Sequence, residues 1–239
     1  MKDIAMNRKN IIRAILVAVS FVAISATAQS NIPIDQLPMY GGMDRSQVPA
    51  LKEGDEKFIS SVVAEFGSRE KASMAWTNRG FTLYQQDDLA GAMRRFNQAW
   101  LLDANNGEVY WGFASILTDR NKYCEALRMV ELAQTKGELQ PGFVPDAALI
   151  YTGCAVEDKS FAPELKQKYL ARSDELFAQA LASNKVRKEY VLHHWARAMY
   201  GRGDYAGAWA KVAQYRQETG KDIDPRFVRN LSQKMAEPK

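Results

Sequence analysis

The sequence repeats itself between residues 76 and 133. Trp76, Gly80, Ala92, Phe96 and Ala99 return as Tyr110, Ala114, Ala126, Val130 and Ala133, each pair 34 positions apart. A period of this length marks a two-element unit that cannot bury its apolar face alone, so neighbouring units stack to build a shared core. It restricts the chain to a repeat array before composition is considered. It also points toward binding, because such arrays present extended surfaces to partners.

Within the first copy an aromatic residue is followed by a small residue, then by Ala92, Phe96 and Ala99 at helical spacing. This order resembles the tetratricopeptide repeat (TPR), whose unit is two antiparallel helices. Arg79 and Ala104 depart from the pattern, standing where it has Leu and Pro. The resemblance implies an all-α fold: a right-handed α-solenoid of about four TPR-like hairpins with capping helices at both ends. The units run approximately over residues 73–106, 107–140, 146–183 and 189–222. In the third, Gly153 anchors the first helix, and Ser173, Phe177 and Ala180 hold the second. The interval from Gly153 to Ser173 is 20 residues, against 12 from Gly80 to Ala92, so this unit carries an insertion. Asp158, Ser160 and Pro163 place a loop there, with Pro163 suited to a first helical turn. In the fourth, Trp195 and Ala196 begin the pattern, Gly203-Asp204-Tyr205 forms the turn, and Ala208 and Val212 continue it.

The ends carry different signals. Lys2, Arg8, Lys9 and Arg13 precede an almost wholly apolar run over 14–28 that ends Ala26-Thr27-Ala28. This is the pattern of a secretory signal peptide, 1–28, cleaved after Ala28. Fifteen residues reach only ~22 Å as a helix, short of a ~30 Å hydrocarbon core, which argues against a retained span. The whole chain is +4; residues 1–28 hold four cations and Asp3, net +3, leaving the mature chain at +1. That balance gives no basis for nucleic-acid binding. Residues 29–54, with Pro33, Pro38, Pro49 and Gly41-Gly42, read as an extended or partly ordered arm. The helical domain then covers 55–239. It starts with a helix over 55–66 that has Asp55 as N-cap and Gly67 as stop, and it closes with a capping helix over 225–236.

The mature chain has two cysteines, Cys124 and Cys154. In an exported protein an even count predicts a disulfide. Cys124 falls near the start of one helix and Cys154 in the second half of its antiparallel neighbour, which brings them to similar height.

A search for chemistry finds no catalytic or metal-binding motif, and no cofactor is expected. His193 and His194 are adjacent on a helix and point about 100° apart, poorly placed to share a metal. The TPR resemblance instead implies a concave groove lined by the first helix of each unit. Carried onto the first copy, its positions are Met74, Thr77, Phe81, Tyr84 and Gln85. The second copy gives Glu108, Trp111, Ser115, Thr118 and Asp119, and the fourth Tyr190, His193, Arg197, Tyr200 and Gly201. The face is rich in aromatics, which commonly anchor interfaces.

The reading is an exported scaffold or adaptor, periplasmic or secreted, that binds a protein or peptide partner in its groove. A self-associating envelope protein is the alternative. An immunity or adaptor role in a secretion system is a narrower guess that no residue selects.

Overall fold

The computed structural model describes residues 32–239. The segment read as a signal peptide lies outside the described residues. Within them the chain forms ten α-helices and no strands. They are α1 (Pro49–Phe66), α2 (Arg69–Gln85), α3 (Leu89–Leu102), α4 (Gly107–Asp119), α5 (Tyr123–Gln134), α6 (Phe143–Glu157), α7 (Pro163–Ser183), α8 (Lys188–Gly201), α9 (Tyr205–Thr219) and α10 (Pro225–Lys234).

The helices pair in sequence, α2 with α3, α4 with α5, α6 with α7 and α8 with α9, and the first helix of each pair touches the first helix of the next. All ten residues that define the two 34-residue copies are buried. Phe96 explains the small residues around it: a methyl group on Gly80 or Gly112 would fall 2.5 or 2.4 Å from its ring. Only a bare backbone lets α2 and α4 close on that side chain.

The turns repeat as well. The amide of Asp88 donates to Leu83 O (3.0 Å), that of Lys122 to Leu117 O (2.9 Å) and that of Asp204 to Met199 O (2.9 Å). The residue before each is left-handed: Asp87 (φ 63°), Asn121 (φ 56°) and Gly203 (φ 84°). These bonds close the last turn of the first helix. Asp88 and Asp204 then cap the second helix by accepting from the amides of Gly91 and Gly207, both at 2.8 Å.

In the third pair the extra residues lengthen the second helix. Pro163 occupies its first turn, and Asp158 accepts from Ser160 in the loop before it. The register of α6 differs from the expected one. Ser173 meets Thr152 Oγ1 (2.8 Å) and donates to Ala148 O (2.7 Å). Gly153 instead faces back toward Tyr123 of α5.

Cys124 and Cys154 form a disulfide between α5 and α6, with Cα atoms 4.5 Å apart. A loop of this length is worth about 3–4 kcal/mol in the chain-entropy account. No helix among the described residues is long and apolar enough to cross a membrane.

The two ends depart from expectation. The first helix begins at Pro49, not Asp55, because proline suits the first helical turn and Asp55 is engaged elsewhere. Its carboxylate takes two hydrogen bonds from Arg45, at 2.7 and 2.6 Å. Gly67 ends the helix as expected, in a left-handed conformation. Residues 32–48 of the expected arm form short 3-10 turns, the third packed against α1 and the first two against α3. Asn97 holds them: its amide nitrogen donates to Asp35 O (2.9 Å) and Leu37 O (2.8 Å), and its oxygen accepts from Tyr40 N (3.3 Å). Tyr40 is buried, with the Arg45 guanidinium 4.1 Å from its ring centroid.

At the other end α10 stops at Lys234. Leu231 is buried against Ile223, Trp209 and Val212, but Met235, inside the expected helix range, lies beyond the helix and is exposed. Its carbonyl accepts from Trp209 Nε1 at 3.0 Å. Trp195 joins this smaller core to the main one. It stacks on Phe177 with ring centroids 5.5 Å apart, and Lys211 Nζ sits 3.4 Å from its ring centroid.

Candidate functional site

The second half of α2 and the starts of α4, α6 and α8 surround a cavity of about 510 Å³. Its walls hold Phe81 and Tyr84 from α2, Trp111 and Ser115 from α4, and Tyr190 from α8, five of the residues carried over from the TPR pattern. Phe81 bridges the core and the cleft, with ring centroids 5.1 Å from Phe96 and 5.0 Å from Trp111. Trp111 in turn meets Phe143 edge-on. The wall is therefore a continuation of the core, which fixes its ring orientations.

Asp146 of α6 lies between α4 and α8. Trp111 Nε1 donates to its Oδ2 at 2.9 Å, and the Tyr190 hydroxyl donates to its Oδ1 at 2.5 Å. Both donors are neutral, so they satisfy the carboxylate without cancelling its charge. Burial accordingly pushes the Asp146 carboxyl up to about 6, against the lowering effect of the two hydrogen bonds. The same burial, then the neighbouring Asp146 charge, raises the Tyr190 phenol far above its usual range. Tyr84 is raised by burial and by Asp119.

A smaller cavity of about 100 Å³ adjoins the first, sharing Tyr84, Ser115, Asp146 and Tyr190 and adding Thr118, Asp119, His194 and Arg197. His194 Nε2 is 3.8 Å from Asp146 Oδ1. That contact is not an ion pair at neutral pH. Burial leads in pushing His194 down to about 4 and Arg197 adds to it, despite the hydrogen bond to Tyr190 O.

Six other expected groove residues lie elsewhere. Met74 is exposed at 61%. Thr77 is buried between α2 and α4, accepting from Asn106 Nδ2 at 3.2 Å. Glu108 is half-buried; Oε1 accepts from Gln140 N at 2.7 Å, while Oε2 has no partner among the described residues. His193 and Tyr200 pack edge-on against Phe227 of α10, so the capping helix covers them. Gly201 borders a different hollow near Tyr123 and Gly153. Gln85 does reach the main cavity.

Asp146 has no counterpart among the residues carried over, because the third unit's irregular spacing left its groove positions unassigned. A signal was present: Asp146 is the one charged residue in Phe143–Tyr151, an otherwise apolar stretch. A carboxylate so placed must find donors or lose its charge. Gln140, Gly142 and Arg187 at the rim come from connecting loops that the helix pattern does not reach.

The cavity combines aromatic walls, one buried acceptor and polar groups at the rim, a composition common among ligand sites. Ser115 Oγ donates to Trp111 O at 3.0 Å and serves its own helix. Among the described residues no group of three or more His, Cys, Asp or Glu side chains is placed to hold a metal ion. Comparison with family models, with curated proteins and with solved structures gives no match to this chain.

Proposed function

We propose that the chain is an exported TPR-type adaptor that holds a protein or peptide partner in the cleft between α2, α4, α6 and α8. The observation that carries this reading is the cleft itself. Phe81, Tyr84, Trp111 and Tyr190, drawn from three of the four first helices, α2, α4 and α8, converge on one cavity. Rigid aromatic surface of this kind supplies binding energy at low conformational cost. The serial helix pairs and the burial of both 34-residue copies support the repeat reading. The Cys124–Cys154 disulfide supports an oxidising compartment, periplasmic or extracellular, to which the basic, apolar N-terminus would direct the chain.

Affinity capture from envelope extracts tests the reading. Tyr84→Ala opens the cleft wall at a half-buried position and is expected to lose the captured partner, whereas Met74→Ala on the outer surface keeps it. Retention by Tyr84→Ala would place the partner elsewhere. Light scattering across concentration separates the rival self-association reading.

A further inference from the structure

The cleft is apolar along its walls and anionic at one point. Phe81, Tyr84, Trp111 and Tyr190 offer ring surface, with Phe81 and Trp111 in contact, and Asp146 borders both the main cavity and the smaller one. None of the groups in direct contact with that carboxylate neutralises it, and the more distant Arg197 is opposed by Asp119. Its hydrogen-bond donors are an indole and a phenol, and His194 is uncharged at neutral pH. Arg197 borders the smaller cavity together with the acidic Asp119, and Arg187 is exposed at the outer rim. A buried carboxylate beside aromatic faces is complementary to an organic cation, which gains both the charge and the ring quadrupoles.

Resting on the partner-binding reading above, we infer that the cleft takes an arginine or lysine side chain of the partner's docking segment. The apolar stem lies along Phe81 and Tyr84 and the charged head approaches Asp146. A peptide side chain fits better than a compact ion. The cavity reaches from α2 to α8, its rim is open, and its charged lining residues are the buried Asp146 and the exposed Arg187 at the rim.

The test is an NMR titration of the full chain, expressed with its own N-terminal segment and purified as the cell delivers it. The probes are N-acetyl-arginine amide and N-acetyl-lysine amide, with the norleucine and glutamate amides as controls. The reporter is the Trp111 indole N–H resonance, assigned by its loss in Trp111→Phe. The cationic probes are expected to shift it saturably. Asp146→Asn, which keeps the shape and removes the charge, weakens them about tenfold, and Tyr84→Ala weakens them several-fold. Equal binding of the norleucine amide, tighter binding of the glutamate amide, or no saturation by either cation overturns the inference. So does unchanged affinity in a folded Asp146→Asn protein; if that variant does not fold, Tyr84→Ala with unchanged affinity has the same force. The two readings fail separately. Partner capture that depends on Tyr84 but not on the Asp146 charge leaves the adaptor reading standing and removes the cation. Capture indifferent to Tyr84 removes both.

Discussion

The indole nitrogen of Trp111 donates to Asp146 Oδ2 at 2.9 Å, joining α4 to α6 in the lining of the cleft. Tyr190 completes the arrangement from α8. One carboxylate thus ties together three helices from three successive pairs. Its loss should be felt in stability as well as in binding. Asp146→Ala leaves an indole N–H and a phenol O–H without their acceptor, at a cost of about 2–4 kcal/mol. Urea unfolding at pH 7 measures this. Asp146→Asn, which retains an amide oxygen, is expected to lose less.

The same group shapes the response to acid. Asp146 is raised from 3.8 to about 6 in the folded protein, so folded chains bind its proton first, and this contribution rises as pH falls from about 6 toward 4. His193 and His194 are both lowered from 6.5 to about 4, chiefly by burial. There the unfolded chain binds protons first, so their contribution is lost over the window from 6.5 down to 4. Two losses oppose one gain. Stability is expected to fall on acidification from pH 7 to 4.5, and more steeply in Asp146→Asn, which lacks the opposing gain. Thermal melts across that range check it; a flatter profile in Asp146→Asn contradicts the assignment.

The disulfide predicts a simple chemical result. Denatured, unreduced protein should show no reactive thiol, because Cys124 and Cys154 are joined. Cys124→Ala combined with Cys154→Ala should lower stability by about 3 kcal/mol, the loop-closure contribution. Two titratable thiols in the unreduced protein would refute the bond.

Much of this architecture is legible in the residues. The 34-residue spacing marks positions that are buried in both copies, and Gly203-Asp204-Tyr205 marks a turn whose hydrogen bonding matches those at Asp88 and Lys122. Periodicity reports which face of a helix is apolar, and that information is local. It fails where contacts between distant segments decide. Thr77 reads as a groove residue by position, yet it is sealed by Asn106 from the next unit's helix cap. His193 and Tyr200 meet Phe227, a residue outside the repeat altogether. The insertion before Ser173 displaced the register of α6, and with it the one carboxylate that organises the cleft.

The N-terminal arm shows the same limit. Three prolines and a Gly-Gly pair read as extended or partly ordered chain, but the Asn97 side chain supplies acceptor and donor groups that hold residues 35–40 on α3. Asn97→Ala removes all three bonds at a buried position, a loss of about 2–3 kcal/mol. Limited proteolysis should then cut within 32–48 before any helix is attacked. Arg120, which donates to Gln36 O at 2.8 Å, should protect only partially on its own.

The central claim is that a partner occupies the cleft, and site-specific photocrosslinking in the exporting cell tests it most directly. A benzophenone amino acid at position 84 lines the cavity, while one at exposed position 210 on α9 faces solvent. The account predicts a discrete adduct with a different protein or peptide from position 84 and none from position 210. An adduct from 210 alone, a product with the mass of two copies of this chain, or no product at 84 would contradict it.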